Sequence, residues 1–97
     1  MGIKESYEKK LQAQLDEWSA EIDKLKAKAD NAEADAQLEH YKRIEELQSM
    51  QESAANKLTE LKDAGDDALE DLQAGIDSTW ESLGDALKSA ASRFKQA

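Results

Sequence analysis

Apolar residues recur along the first third of the chain at alternating steps of four and three, and this spacing constrains the fold most. The N-terminal seam, as we name it, consists of Leu11, Leu15, Trp18, Ile22, Leu25, Ala29, Ala32 and Ala36. Such steps place every member on one stripe of an α-helix, which is the heptad pattern of a coiled coil. The composition alone, with 36% charged residues and a mean hydropathy of -0.85, would also fit a disordered chain. The periodicity predicts helix instead.

Downstream the alternation is interrupted twice but the helical pattern continues. Two successive four-residue steps lie between Ala36 and Ile44, and two more lie between Leu72 and Trp80. Steps of this kind locally unwind a left-handed supercoil while they keep the apolar residues on one side. The last third of the chain therefore has an apolar stripe of its own. We name it the C-terminal face, and it consists of Leu69, Leu72, Ile76, Trp80, Leu83, Leu87 and Phe94.

The segment from Asp63 to Asp67 is the best candidate for a turn between helices. Gly65 can take the left-handed conformation at a helix end, and the aspartates after it can cap the next helix. A second break is possible at Asp30-Asn31, where lysines precede and acids follow, as the helix dipole favours. The N-terminal seam nevertheless runs in phase through that point, and this favours a continuous helix.

The predicted fold is therefore all-α, with residues 1–97 as a single helical domain. A long amphipathic coiled-coil helix over about residues 3–63 is followed by a turn over about 63–67, and a shorter helix over about 67–96 folds back as a helical hairpin. A break at Asp30-Asn31 would instead give a three-helix bundle, which stays the alternative. The uninterrupted helix would be a rod of roughly 90 Å at 1.5 Å per residue.

In the hairpin the first half of the long helix has no partner within the chain, so the N-terminal seam predicts self-association. Ile22 and Leu25 occupy a and d positions, an arrangement that favours two strands, and a dimer is therefore favoured. The sequence leaves open whether the two chains would lie parallel or antiparallel.

Residues that could carry chemistry are scarce. The chain has no cysteine and one histidine, His40, which lies on the apolar stripe without a second ligand one helical turn away. We therefore predict no catalytic residue, no cofactor, no metal site and no enzyme activity. A net charge of -9 also disfavours binding to nucleic acid, which needs clustered Lys and Arg. Whether His40 senses pH is left open.

A membrane role is the alternative function. No run approaches the ~18 apolar residues of a spanning helix, and we find no secretory signal, so a cytoplasmic location is expected. The C-terminal face could still lie on a lipid surface, as an interfacial helix does. Its polar side is acidic, however, whereas anionic lipid would require Lys and Arg.

The segment from Tyr7 to Asp30, which contains Leu15-Asp-x-Trp-x-Ala20, resembles the opening of a group of small bacterial coiled-coil proteins, an uncharacterised family. The closing Ser92-Arg-Phe94 is similar to that group as well. The resemblance implies a bacterial, helical, non-enzymatic protein and supplies no site residues. Together with the seam, it predicts a structural or interaction protein that self-associates and presents acidic helical faces to a partner protein.

Overall fold

Three long helices make up almost the whole of the computed structural model, which describes residues 2–96. Helix α1 spans Ile3–Asp30, α2 spans Ala34–Asp63 and α3 spans Leu69–Gln96, with a short 3-10 turn at Asp66–Ala68 before α3. No strand occurs within this range. The all-α prediction is confirmed. Met1 and Ala97, the two ends of the predicted domain, lie outside the described residues.

The predicted continuous helix over residues 3–63 is wrong, because the chain turns at residues 31–33. The last carbonyls of α1 find side-chain donors there, which a helix end requires. The Asn31 amide donates to the carbonyl of Ala27 over 3.1 Å. The Gln37 amide, from the first turn of α2, donates to the carbonyls of Ala29 and Asp30 over 3.2 and 3.3 Å. The alternative of the sequence analysis, a three-helix bundle, is the observed fold.

The second turn lies where it was predicted, but its backbone differs from the expectation. Helix α2 ends at Asp63, and the 3-10 turn starts at Asp66. Gly65 has φ -72° and ψ 167°, so it is extended and does not adopt the left-handed conformation. The extended Ala64 and Gly65 therefore carry the chain from α2 to α3 without a glycine-dependent cap.

All three helices contribute to one apolar core. Its buried members are Leu11, Leu15, Ile22, Leu25, Ala29, Ile44, Leu47, Ala54, Leu58, Leu61, Ile76, Trp80, Leu83, Leu87, Ala90 and Phe94. No buried polar or charged residue lies among the residues that the structure describes. The body measures 50 × 19 × 18 Å, close to the length of one helix of about 30 residues, rather than that of a rod of about 90 Å.

The first and third helices run parallel, with α2 antiparallel to both. Near the start of α1, the Tyr7 hydroxyl donates to the carboxylate of Asp77 in α3. Further along both helices, the ring of Trp18 lies against Gly84. Because the contacts advance in the same direction along α1 and along α3, the two helices must run parallel. Residues of α1 can therefore form one surface with residues of α3 that are 66 to 70 positions later in the sequence.

Candidate functional site: the groove between α1 and α3

A groove of about 540 Å³ runs between the two parallel helices, and we name it the α1/α3 groove. Helix α1 contributes residues at spacings of three and four, which form one face of two helical turns. Helix α3 contributes a face of three turns. The lining residues are Gln14, Glu17, Trp18, Glu21, Trp80, Glu81, Gly84, Asp85, Leu87, Lys88 and Ala91.

Both tryptophans of the chain line this groove. Trp18 is half-buried, whereas Trp80 is only 5% exposed. Gly84 sets the position of the first ring, because a Cβ built on it would lie 3.4 Å from Cζ2 of Trp18. A side chain larger than a methyl group would therefore push the ring away from α3. The absence of a side chain at Gly84 lets the indole lie close to the helix backbone.

The indole nitrogen of Trp80 is buried without a hydrogen-bond acceptor among residues 2–96. An unpaired buried donor costs on the order of 1–3 kcal/mol, so such groups are uncommon in folded proteins. This donor belongs to a side chain that lines the groove. The apolar part of the lining, which we call the floor, consists of the two indoles, Leu87 and Ala91.

Four carboxylates and one ammonium group surround the floor. The acidic side chains are Glu17 and Glu21 on α1 and Glu81 and Asp85 on α3, and the basic one is Lys88. Glu21 lies 3.6 Å from Lys24, which offsets part of its charge. The rim is therefore predominantly negative on both sides, on a chain whose net charge is already -9. Carboxylates beside an apolar wall concentrate cationic groups from solution.

Two tyrosines join helices outside the groove. The bond from Tyr7 to Asp77 links α1 to α3, and burial, followed by that bond and by the nearby carboxylate charge, raises the pKa of the Tyr7 phenol. The Tyr41 hydroxyl donates to Asp30, linking α2 to the end of α1, and this bond is the main cause of a raised Tyr41 pKa. Each phenol is held in its neutral form as a donor. These are structural contacts across the bundle.

His40 packs against Phe94, with ring centroids 4.0 Å apart and an interplanar angle of 36°. This ring contact places His40 between α2 and the end of α3. No group of three His, Cys, Asp or Glu side chains within residues 2–96 is arranged to hold a metal ion.

The structure places the two predicted surfaces in the core. Within the N-terminal seam, five members are buried and the other three, Trp18, Ala32 and Ala36, are half-buried. The inference that the first half of the predicted long helix lacks a partner within the chain is therefore wrong, because α2 and α3 cover it. The C-terminal face is also internal: Leu69 and Leu72 are half-buried, and Ile76, Trp80, Leu83, Leu87 and Phe94 are buried.

Sequence reasoning missed the α1/α3 groove altogether. The spacing of Gln14, Glu17, Trp18 and Glu21 was a readable signal, since it defines a flank of α1 beside the seam. A long hairpin, however, does not bring this flank next to α3. Only the turn at residues 31–33 reverses the chain early enough for α3 to return alongside α1.

No family model matches the chain, and neither a curated protein nor a solved structure matches it. Within residues 2–96, no helix combines the length and the apolar character needed to cross a membrane.

Proposed function

We propose that this chain is a non-enzymatic interaction protein that binds a partner protein at the α1/α3 groove. One observation carries the proposal: two tryptophans and four carboxylates meet on a single concave surface. Aromatic side chains are enriched among the residues that dominate binding energy at protein interfaces, and charged rims around them provide specificity. The acidic helical faces expected from the sequence therefore border an apolar surface, which contains the two tryptophans.

Self-association stays a prediction, but it needs a surface other than the N-terminal seam, which lies in the core. Among the residues that the structure describes, the large apolar side chains that are well exposed are Ile3, at 82%, and Leu38, at 62%. They stand at the starts of α1 and α2, which are opposite ends of an antiparallel pair. Two separate side chains do not form the contiguous apolar patch that marks a stable interface.

Binding to a lipid surface is the alternative, and it would require the bundle to open. The C-terminal face could reach lipid only after α3 had left α1 and α2, because its larger members are buried. The closed bundle presents a surface of net negative charge, which anionic vesicles would repel. Co-flotation of the protein with neutral vesicles, accompanied by loss of the buried Trp80 emission, would support this alternative.

Site-specific photo-crosslinking tests the proposed function. A photoreactive amino acid replaces Glu17 on the groove rim in one variant, and it replaces Glu52 on the exposed side of α2 in a matched variant. Both positions are exposed glutamates, so the two variants lose the same charge. In the native host cells we expect the same protein to be captured repeatedly from position 17 and not from position 52. Equal capture from both positions, or none from position 17, would contradict a binding site in the groove.

A further inference from the structure

We infer that the occupant of the α1/α3 groove is a basic amphipathic helix, a segment whose apolar stripe is flanked by lysine or arginine. The inference rests on the proposed function and specifies the partner's chemistry. Three independent properties of the groove carry it: its shape, its floor and its charge.

The shape of the groove fits a helix. The lining residues of α3 extend from Trp80 to Ala91, which corresponds to three turns and about 16 Å of helix axis. Those of α1 occupy one face at spacings of three and four, so both walls run along the helix axes. A straight trough between two parallel helices takes a third helix by laying its apolar stripe into the gap, as in helix-in-groove recognition. The occupied bundle would then contain four helices.

The floor offers both an aromatic anchor and room for close approach. Trp18 is half-buried in the free protein, so an apolar side chain laid on it would remove the rest of the ring from water. Gly84 is already covered by the Trp18 ring, but Ala91, two turns further along α3, has a small side chain that lets another helix come near. Trp80, at 5% exposure, forms the buried part of this floor.

The charge pattern decides which helix fits. Glu17 stands on one wall, and Glu81 and Asp85 stand on the other, so both flanks of the occupant face carboxylates. Glu21 is already close to Lys24, and the acidic character is therefore strongest at the Trp80 end of the groove. A second copy of this chain is disfavoured, because two bodies of net charge -9 repel each other. A helix with Lys or Arg on both sides of its apolar stripe complements the rim.

Intrinsic fluorescence gives a direct assay, since the only two tryptophans both line the groove. The probe is a designed, tryptophan-free peptide of about 18 residues, with leucines at helical spacing and lysines on the flanks. Two further peptides serve as comparisons: one has glutamate in place of every lysine, and the other has the same composition in scrambled order. We expect the lysine peptide to shift the Trp18 emission to shorter wavelength and to bind at least about tenfold more tightly than either comparison.

A matched pair of variants tests the location. Glu81→Lys with Asp85→Lys reverses the charge of one groove wall, whereas Glu45→Lys with Glu52→Lys makes the same change in net charge on the exposed side of α2. We expect the groove variant to weaken binding of the lysine peptide about tenfold or more, and the α2 variant by less than about threefold. Circular dichroism confirms that both variants fold. Raising the salt concentration should weaken binding to the unmodified protein in the same assay.

Several results would overturn the inference. Equal binding of the scrambled peptide would show that charge alone is recognised, without a helix. Equal weakening by both double variants would show that the net charge of the protein acts, rather than the groove. The photo-crosslinking experiment separates this inference from the proposed function. A captured segment that is acidic or neutral would retain the groove as a binding site and refute the basic helix, whereas no capture together with no peptide binding would refute both.

Discussion

Replacing Gly75 by alanine should stabilise the bundle. Gly75 is exposed in the interior of α3, and a Cβ built on it meets no atom within 4 Å. The substitution therefore adds no clash and removes no contact, while alanine is the better helix former by about 0.8–1.0 kcal/mol. The Thr79 hydroxyl, which donates to the Gly75 carbonyl over 2.9 Å, is unaffected. We expect the free energy of unfolding to rise by about 1 kcal/mol.

Urea unfolding measures this change, with circular dichroism and tryptophan fluorescence as two separate probes. For a domain of this size the slope is about 1–3 kcal/mol/M, so the midpoint should rise by about 0.3–1 M. The melting temperature should rise by about 4–8 °C. Gly84→Ala is the informative comparison. It makes the same gain in helix propensity, but its methyl group contacts Trp18, so it should also change the tryptophan emission of the folded protein.

A urea midpoint that Gly75→Ala leaves unchanged or lowers, while the slope stays constant, would contradict this expectation. Either result would mean that residue 75 is not held in a regular helix exposed to water. Helix α3 would then be interrupted in its first third, and only the part after residue 75 would form the third side of the core. An increase in the free energy of unfolding together with a change in the tryptophan emission would show that the methyl group at residue 75 disturbs the tryptophans. That result would contradict the open space around residue 75.

Three further results are expected. Leu83→Ala, which truncates a side chain with 0% exposure, should lower the free energy of unfolding by about 2–5 kcal/mol. Leu38→Ala, at 62% exposure, should change it by less than about 0.5 kcal/mol. Similar effects of the two substitutions would contradict the observed core. The raised pKa of Tyr7 means that its stabilising contribution is present in full below pH 10.0, its ordinary pKa, and is lost as pH rises above that value. The loss of stability with rising pH should therefore be smaller in Tyr7→Phe, and an unchanged profile would refute a stabilising bond from Tyr7 to Asp77. Small-angle X-ray scattering combined with sedimentation should give a particle about 50 Å long. A length of about 90 Å would contradict the three-helix bundle and support the continuous helix over residues 3–63.

The sequence allowed the elements to be predicted better than their connections. The helical periods and the turn after Asp63 are local signals, and both are present in the structure. The turn at residues 31–33 was predicted only as an alternative, because Ala29, Ala32 and Ala36 keep their spacing across it and all face the core to some degree. An apolar stripe shows which side of a helix is covered. It does not show whether the same chain or another chain covers it.

The features that the sequence did not predict depend on non-local contacts. Gln37 bonds to carbonyls seven and eight residues earlier only once the chain has turned, so its stabilisation of the turn cannot be read from helical periodicity. The dipole pattern, with Lys28 in the last turn of α1 and Asp35 in the first turn of α2, did indicate the break. The α1/α3 groove depends on that break, so it could not be predicted from a continuous helix. The bacterial origin and cytoplasmic location stay predictions.

An odd number of helices has a mechanical consequence. Because α1 and α3 run parallel, Ile3 and Gln96 stand at opposite ends of the 50 Å body. Tags attached at these two points and pulled apart would load α1 against α3 along their length, in shear. Contacts spaced along both helices, including Tyr7 with Asp77 and Trp18 with Gly84, would then resist the force together instead of peeling apart one after another. A two-helix hairpin, whose ends lie side by side, would instead unzip.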